Sequence, residues 1–244
     1  MTPPTNSQVL ARDTLASSAP VPQYLQETYW WAYVHPNAVR VFERQWLVNL
    51  ILWGNFTRLR DVALAEFGHP LHGKILQVAC VYGDFTQNLA RRLHTDATLN
   101  VVDVAPVQIS NLQSKLRGVP GASQVHVLRQ DSTDLAFEDA SHDAVIVFFL
   151  LHEQPLEVRQ RTVAEALRVT RPGGKLVFVD YHRPTAWSPF RYIMVPILRG
   201  LEPFAMDLWR QPITDWLPSE IPVASVRKET YFGGLYQKVV VTRA

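Results

Sequence analysis

Between residues 74 and 180, five short apolar runs alternate with helical stretches, and that alternation leaves few folds open. The runs are 74–79, 99–104, 125–129, 144–151 and 175–180, and residues 85–93, 108–116 and 156–169 carry apolar positions at helical spacing between them. Strands separated by helices of this length pair in parallel, with helices covering both faces of the sheet. Each run is apolar at consecutive positions, as strands buried on both faces require. Right-handed crossovers bring every strand's C-terminal end to one edge, and ligands of open α/β sheets bind at that edge. The sequence therefore predicts a Rossmann-like α/β domain over residues 70–244.

What flanks the alternating region is different. Residues 1–22 are rich in Thr, Ser, Pro and Ala and read as a disordered tail. Residues 23–69 read as a helical cap. An aromatic stretch from Tyr24 to His35 holds Tyr29, Trp30 and Tyr33. A helix follows from Pro36, with Val39, Phe42, Trp46, Leu50 and Trp53 recurring three and four apart and Gly54 as its stop, and a second helix covers 58–67. Residues 187–217 mix Trp187, Phe190, Ile193, Met194, Leu198, Phe204, Leu208 and Trp209 with Pro189, Pro196, Pro203 and Pro212, and read as an apolar lid. Runs 223–232 and 235–242 flank Gly233-Gly234 at the spacing of a tight antiparallel hairpin.

The charge balance, 24 basic against 22 acidic residues, leaves no electrostatic footprint for nucleic acid. The lone Cys80 excludes an internal disulfide. No run approaches the roughly 20 apolar residues that span a bilayer. No basic segment leads into an apolar one at the N-terminus, so no secretory signal is expected, and Asn55-Phe56-Thr57 is an idle glycosylation acceptor.

Four features stand where a nucleoside site needs them. The first strand runs into Gln77-Val-Ala-Cys-Val-Tyr-Gly83-Asp84. The second ends at Asp103, whose carboxylate can accept from both ribose hydroxyls. Asp131, followed by Ser132, can accept from an adenine amino group. Arg171-Pro172-Gly173-Gly174 feeds the fifth strand. In these motifs, over residues 70–243, the chain resembles the class I S-adenosylmethionine (SAM)-dependent methyltransferases. The resemblance implies a mostly parallel seven-stranded sheet with a C-terminal antiparallel hairpin. It also implies SAM contacts from Gln77, Ala79, Tyr82, Gly83, Asp103, Val104, Asp131, Ser132 and Phe149. The chain departs from that family at the first loop. Gln77 takes the place of an acid, and Ala79 and Val81 take the places of glycines, narrowing the space beside the methionine moiety. A neutral Gln77 cannot favour the charged form of the ligand's α-ammonium.

Further strings narrow the resemblance: Trp30-Trp-Ala-Tyr-Val-His-Pro36, Leu52-Trp-Gly-Asn55, Phe148-Phe-Leu-Leu-His-Glu153, Asp180-Tyr-His-Arg-Pro184, Leu201-Glu-Pro-Phe-Ala205 and Phe232-Gly-Gly-Leu-Tyr-Gln-Lys238. Together they are similar to the rhodoquinone-biosynthesis proteins, a branch related to the quinone methyltransferases. What this implies is amination: SAM donates its amino group to ubiquinone in place of a ring methoxy group, with manganese(II) required. An amine must be uncharged to attack an electron-poor quinone carbon, and a first loop without a carboxylate is consistent with that.

Manganese prefers oxygen and imidazole ligands. His152, Glu153, Asp180 and His182 are the candidates, at the ends of the fourth and fifth strands; the i, i+2 spacing of Asp180 and His182 puts both on one side of an extended chain. A metal there polarises a quinone carbonyl as a Lewis acid. The alternatives are that His152 and Glu153 orient substrate or cap a helix, and that Asp180 and His182 form a structural pair. His152, Glu153, His182 and Tyr82 are the catalytic candidates, Tyr82 touching SAM, touching the quinone or only packing. Tyr29, Trp30, Tyr33 and His35 either cover the cofactor or belong to the core. A lipid quinone places the protein at a membrane surface, with lid side chains in the interface and Arg191, Arg199 and Arg210 near headgroups. The expected location is cytoplasmic, on the inner face of the membrane, the matrix side in a mitochondrion. A conventional quinone C- or O-methyltransferase and a non-catalytic SAM-fold binding protein are the competing possibilities.

Overall fold

The computed structural model describes residues 20–29, 39 and 41–244. The expected disordered tail, apart from its last three residues, and Trp30, Tyr33 and His35 lie outside them. The strands are β1 (Lys74–Val78), β2 (Thr98–Asp103), β3 (Val125–Arg129), β4 (His142–Phe148), β5 (Thr170–Tyr181), β6 (Val223–Tyr231) and β7 (Tyr236–Arg243). They form one seven-stranded sheet in the order β3-β2-β1-β4-β5-β7-β6. The first five are parallel, and β7 inserts antiparallel between β5 and β6. The hairpin therefore extends the sheet as expected, but its second strand is the inner one. The reason is burial: β7 is buried along most of its length, whereas β6 is almost wholly exposed. Arg227, Lys228 and Glu229 on β6 keep that free edge from pairing with other chains.

Among the described residues the helices are α1 (Gln23–Thr28), α2 (Gln45–Ile51), α3 (Phe56–Leu64), α4 (Phe85–Ala90), α5 (Pro106–Lys115), α6 (Leu156–Val169) and α7 (Phe190–Leu201). On α6, Arg159, Thr162, Val163, Ala166 and Leu167 are buried at three- and four-residue spacing, so one face lies on the sheet. The helix expected from Pro36 to Gly54 is not continuous. Arg44 is extended between helical residues at Val41–Phe42 and the start of α2. A tertiary demand breaks it: the Glu43 carboxylate accepts from the Gly83 backbone N–H at 3.0 Å and from Asn111 at 2.7 Å, and pairs with Lys115 at 2.6 Å. The Pro-Gly-Gly turn lies inside the span of β5, where pairing jumps from His142–Thr170 to Ala144–Lys175 and the residues between bulge out.

The lid segment holds α7 and two short 3-10 turns, Ala205–Trp209 and Ile213–Trp216. Met194 and Leu198 of α7 are buried, while Tyr192, Ile193, Ile197 and Leu201 face outward.

Candidate active site at the C-terminal edge of the sheet

The loop after β1 keeps the backbone path of a glycine turn without the glycines. Ala79 has φ +72°, in the left-handed region that L-residues rarely adopt. Gly83 has φ +76°, and a Cβ there would meet the Phe56 ring at 2.9 Å. Gln77 is wholly buried beneath the loop: its amide donates to the Ala79 carbonyl at 2.9 Å and accepts from the Thr86 hydroxyl at 3.0 Å. Gln77 and Gly83 thus shape the loop, and neither lines a cavity at this edge. Both are expected SAM contacts, and the structure places them beneath and within the loop that borders the cleft.

Ala79, Asp103, Val104, Asp131, Ser132 and Phe149 line one cleft open to solvent. Asp103 sits at the end of β2, half-buried. Its carboxylate accepts from the backbone N–H groups of Cys80 at 2.7 Å and Ala105 at 2.8 Å. Burial raises its pKa, and those hydrogen bonds oppose the rise. Asp131 Oδ1 accepts from the backbone and hydroxyl of Thr133, both at 2.8 Å. Tyr24 of α1 closes over the cleft from the N-terminal cap; burial first, then Glu153 and Asp131, push its phenol well up. Two acids at adjacent strand ends, with a small-residue loop between, fit the ribose and base of a nucleoside.

A second cavity opens beside the first and shares Cys80, Phe149 and Glu153 with it. Its volume is about 540 Å³, and its walls are predominantly apolar: Val48, Leu52, Phe56, Phe148, Met194 and Leu198 among them. Tyr82 lines it, with its hydroxyl accepting from Gln108 at 2.8 Å. The polar end is small and consists of His152, Glu153, Tyr181 and Glu202.

His152 stands in the 3-10 turn Leu151–Glu153 after β4. Its Nδ1–H donates to Asp180 Oδ1 at 3.0 Å, and its Nε2 lies 3.7 Å from Glu153 Oε1. Burial works against protonation of His152, but Asp180, followed by Glu202 and Glu153, outweighs it and pushes the pKa up to about 9. Arg159, wholly buried, ties this turn to the lid by donating to the carbonyls of Leu151 at 2.8 Å, Gln154 at 2.7 Å and Phe204 at 2.9 Å.

The four expected metal ligands do not converge: no three of them bring ligand atoms within 4.8 Å of one another. Asp180 accepts from the backbone of Leu151 and His152 on one oxygen, and from the Tyr181 backbone and the His152 ring on the other. It is saturated, and it positions His152. His182 Nδ1 donates to the Gly234 carbonyl at 2.8 Å, so His182 pins the hairpin turn and lines neither cavity. The i, i+2 pattern could not reveal that each partner was already engaged. His152 and Glu153 remain as donors at the cavity. A metal-binding histidine commonly carries a carboxylate on its second nitrogen, as Asp180 does here.

Glu202 is the residue the sequence did not single out. Burial raises its pKa, while the His152 charge and the Tyr29 hydroxyl against it pull it down. The available signal was an acid inside Leu201-Glu-Pro-Phe-Ala205, in an otherwise apolar segment. Tyr29 is fully buried and packs on Phe204 rather than over the cleft.

Residues 75–174 match a methyltransferase domain family. An uncharacterized methyltransferase of Synechocystis is 30% identical over 217 residues, covering 88% of this chain and 94% of that one. The ubiquinone/menaquinone biosynthesis C-methyltransferase UbiE of Stutzerimonas stutzeri is 25% identical over 162 residues, 64% of this chain and 62% of its own. The crystal structure of geranyl diphosphate C-methyltransferase from Streptomyces coelicolor superposes with a TM-score of 0.59 at 12% identity, over 93% of this chain and all of that one, a likeness of fold alone.

Proposed function

We infer the activity from the premise that this chain belongs to the class I SAM-dependent methyltransferase superfamily and is related to the quinone methyltransferases. We propose that it converts ubiquinone to rhodoquinone, exchanging a ring methoxy group for the amino group of SAM. One observation carries this above methyl transfer: the first loop offers the ligand no uncompensated carboxylate. Gln77 spends both ends of its amide inside the protein, Asp84 at the loop's end is paired with Arg60 at 2.7 Å, and the Glu43 that reaches the loop is neutralised by Lys115. Nothing from the loop then holds the ligand's nitrogen as a cation, and a neutral amine is the nucleophile the reaction needs.

Asp103 and Asp131 would hold the nucleoside, and the apolar cavity would take the isoprenoid-bearing ring. The amine nitrogen bonds to the methoxy-bearing ring carbon, and methanol leaves with one amine proton; the Cα–N bond of the resulting adduct then breaks by elimination, a Cβ proton of the SAM-derived chain passing to nitrogen, which frees the aminoquinone. The protonated His152, fixed by Asp180, presents Nε2–H toward the cavity, where it can donate to a quinone oxygen. With manganese bound, His152 would instead be neutral and hold the ion through Nε2 together with Glu153, and the ion in place of Nε2–H would supply Lewis acidity toward the carbonyl.

Substrate would enter from a lipid surface. Leu50, Ile51, Trp53, Ile197 and Leu201 both line the apolar cavity and face outward, so the cavity wall continues into an exposed apolar rim. Trp46 and Trp187, in the same cap and lid segments, are 61% and 96% exposed. No helix among the described residues is long and apolar enough to cross a membrane. Purified protein incubated with SAM, a short-tail ubiquinone and manganese should yield a product lighter than the substrate, methoxy replaced by amine. A product heavier by one methylene unit would establish methyl transfer instead. Flotation with liposomes tests the surface: protein that stays in the aqueous fraction refutes it.

A further inference from the structure

At the opposite edge of the sheet, below β1 and β2, His72, His94 and Asp96 bring one ligand atom each to within 4.8 Å of one another. His94 Nδ1 lies 2.7 Å and His72 Nδ1 3.2 Å from Asp96 Oδ1, and the two rings face each other with centroids 4.3 Å apart. The three side chains come from two short loops, one entering β1 and one leaving α4 for β2. Their backbone is fixed independently of the side chains. Leu71 and Leu93 form a parallel bridge, with Leu71 N–H on the Arg92 carbonyl and His94 N–H on the Leu71 carbonyl, both at 2.8 Å. The Gln124 amide donates to the carbonyls of His94 at 2.5 Å and Ala97 at 2.7 Å.

We propose that His72, His94 and Asp96 form a binding site for a divalent transition-metal ion of the zinc type, separate from the catalytic edge. Two imidazoles and one carboxylate are a borderline donor set that favours zinc over manganese. Around a tetrahedral zinc, nitrogen and oxygen ligands sit roughly 3.4 Å apart, since each bond is about 2.1 Å. The spacings here are close to that, so small side-chain rotations replace the two His–Asp hydrogen bonds with bonds to the ion. Solvent reaches all three groups, so water can complete the shell. β1 separates this site from the nucleoside cleft, which begins at Ala79, so the ion would brace two loops and take no part in group transfer.

Untagged, metal-free full-length protein titrated with zinc sulfate should take up one equivalent in calorimetry. Cobalt(II) should give the visible absorption of a tetrahedral site. His94→Ala and Asp96→Asn should each weaken zinc binding by at least about tenfold and leave SAM affinity unchanged. Zinc should raise the melting temperature of the wild type and not of His94→Ala. Zinc binding only at millimolar concentration, an adventitious ion only, would overturn the proposal. So would unaltered zinc affinity in both variants, or zinc binding that disappears in His152→Ala instead. None of these outcomes depends on which group the catalytic edge transfers.

Discussion

Replacing Asp180 with asparagine removes the charge that keeps His152 protonated in the interior. A folded pKa near 9 against an ordinary 6.5 corresponds to about 3 kcal/mol of stability. The folded pKa is the higher one, so this contribution is fully present below pH 6.5 and is lost as pH rises through 9. In Asp180→Asn that pH dependence should vanish. Stability below pH 6.5 should fall by at least about 3 kcal/mol, because breaking a buried pair leaves the remaining group unmatched. Asparagine also turns an NH2 toward N–H groups of Leu151, His152 or Tyr181 that now find an acceptor. Urea unfolding of both proteins between about pH 6 and about pH 10 measures the difference, and NMR of the His152 ring protons reads the pKa directly. A wild-type imidazole titrating at or below 6.5, or parallel pH profiles for the two proteins, would refute the assignment.

Four other substitutions have defined outcomes. Ala79→Gly should stabilise the protein by about 1 kcal/mol in chemical denaturation, because a left-handed backbone at φ +72° costs alanine that much more than glycine. Gln77→Asp sets a carboxylate against the Ala79 carbonyl at a wholly buried position; it should cost about 2 kcal/mol and depress amine formation more than SAM binding, read from product mass and calorimetry. Asp103→Asn should weaken SAM binding by at least about tenfold while the apo protein still melts cooperatively. Arg159→Met leaves three buried carbonyls without their donor and should lower stability by about 3 kcal/mol; loss confined to the exposed rim in hydrogen exchange would contradict the tie from the catalytic turn to the lid.

The parallel sheet, the strand ends at Asp103 and Asp131 and the closing hairpin were legible in the order of residues, because periodicity and burial are local properties of a strand or helix. The altered first loop was legible too, since Gln77, Ala79 and Val81 stand where an acid and glycines are expected. Folding decided what those side chains do. Gln77 turned out to be a loop brace, Asp180 a holder of His152, and His182 a pin for the hairpin, because hydrogen-bond partners from remote segments claimed them first. Glu43 broke a helix that its neighbours in sequence favour, drawn across to Gly83 and Lys115. Glu202 reached the polar end of the apolar cavity only because α7 packs Met194 and Leu198 downward. Residue types announce what chemistry is possible; which atoms still have a free lone pair or proton depends on contacts between distant parts of the chain, and those exist only once it has folded.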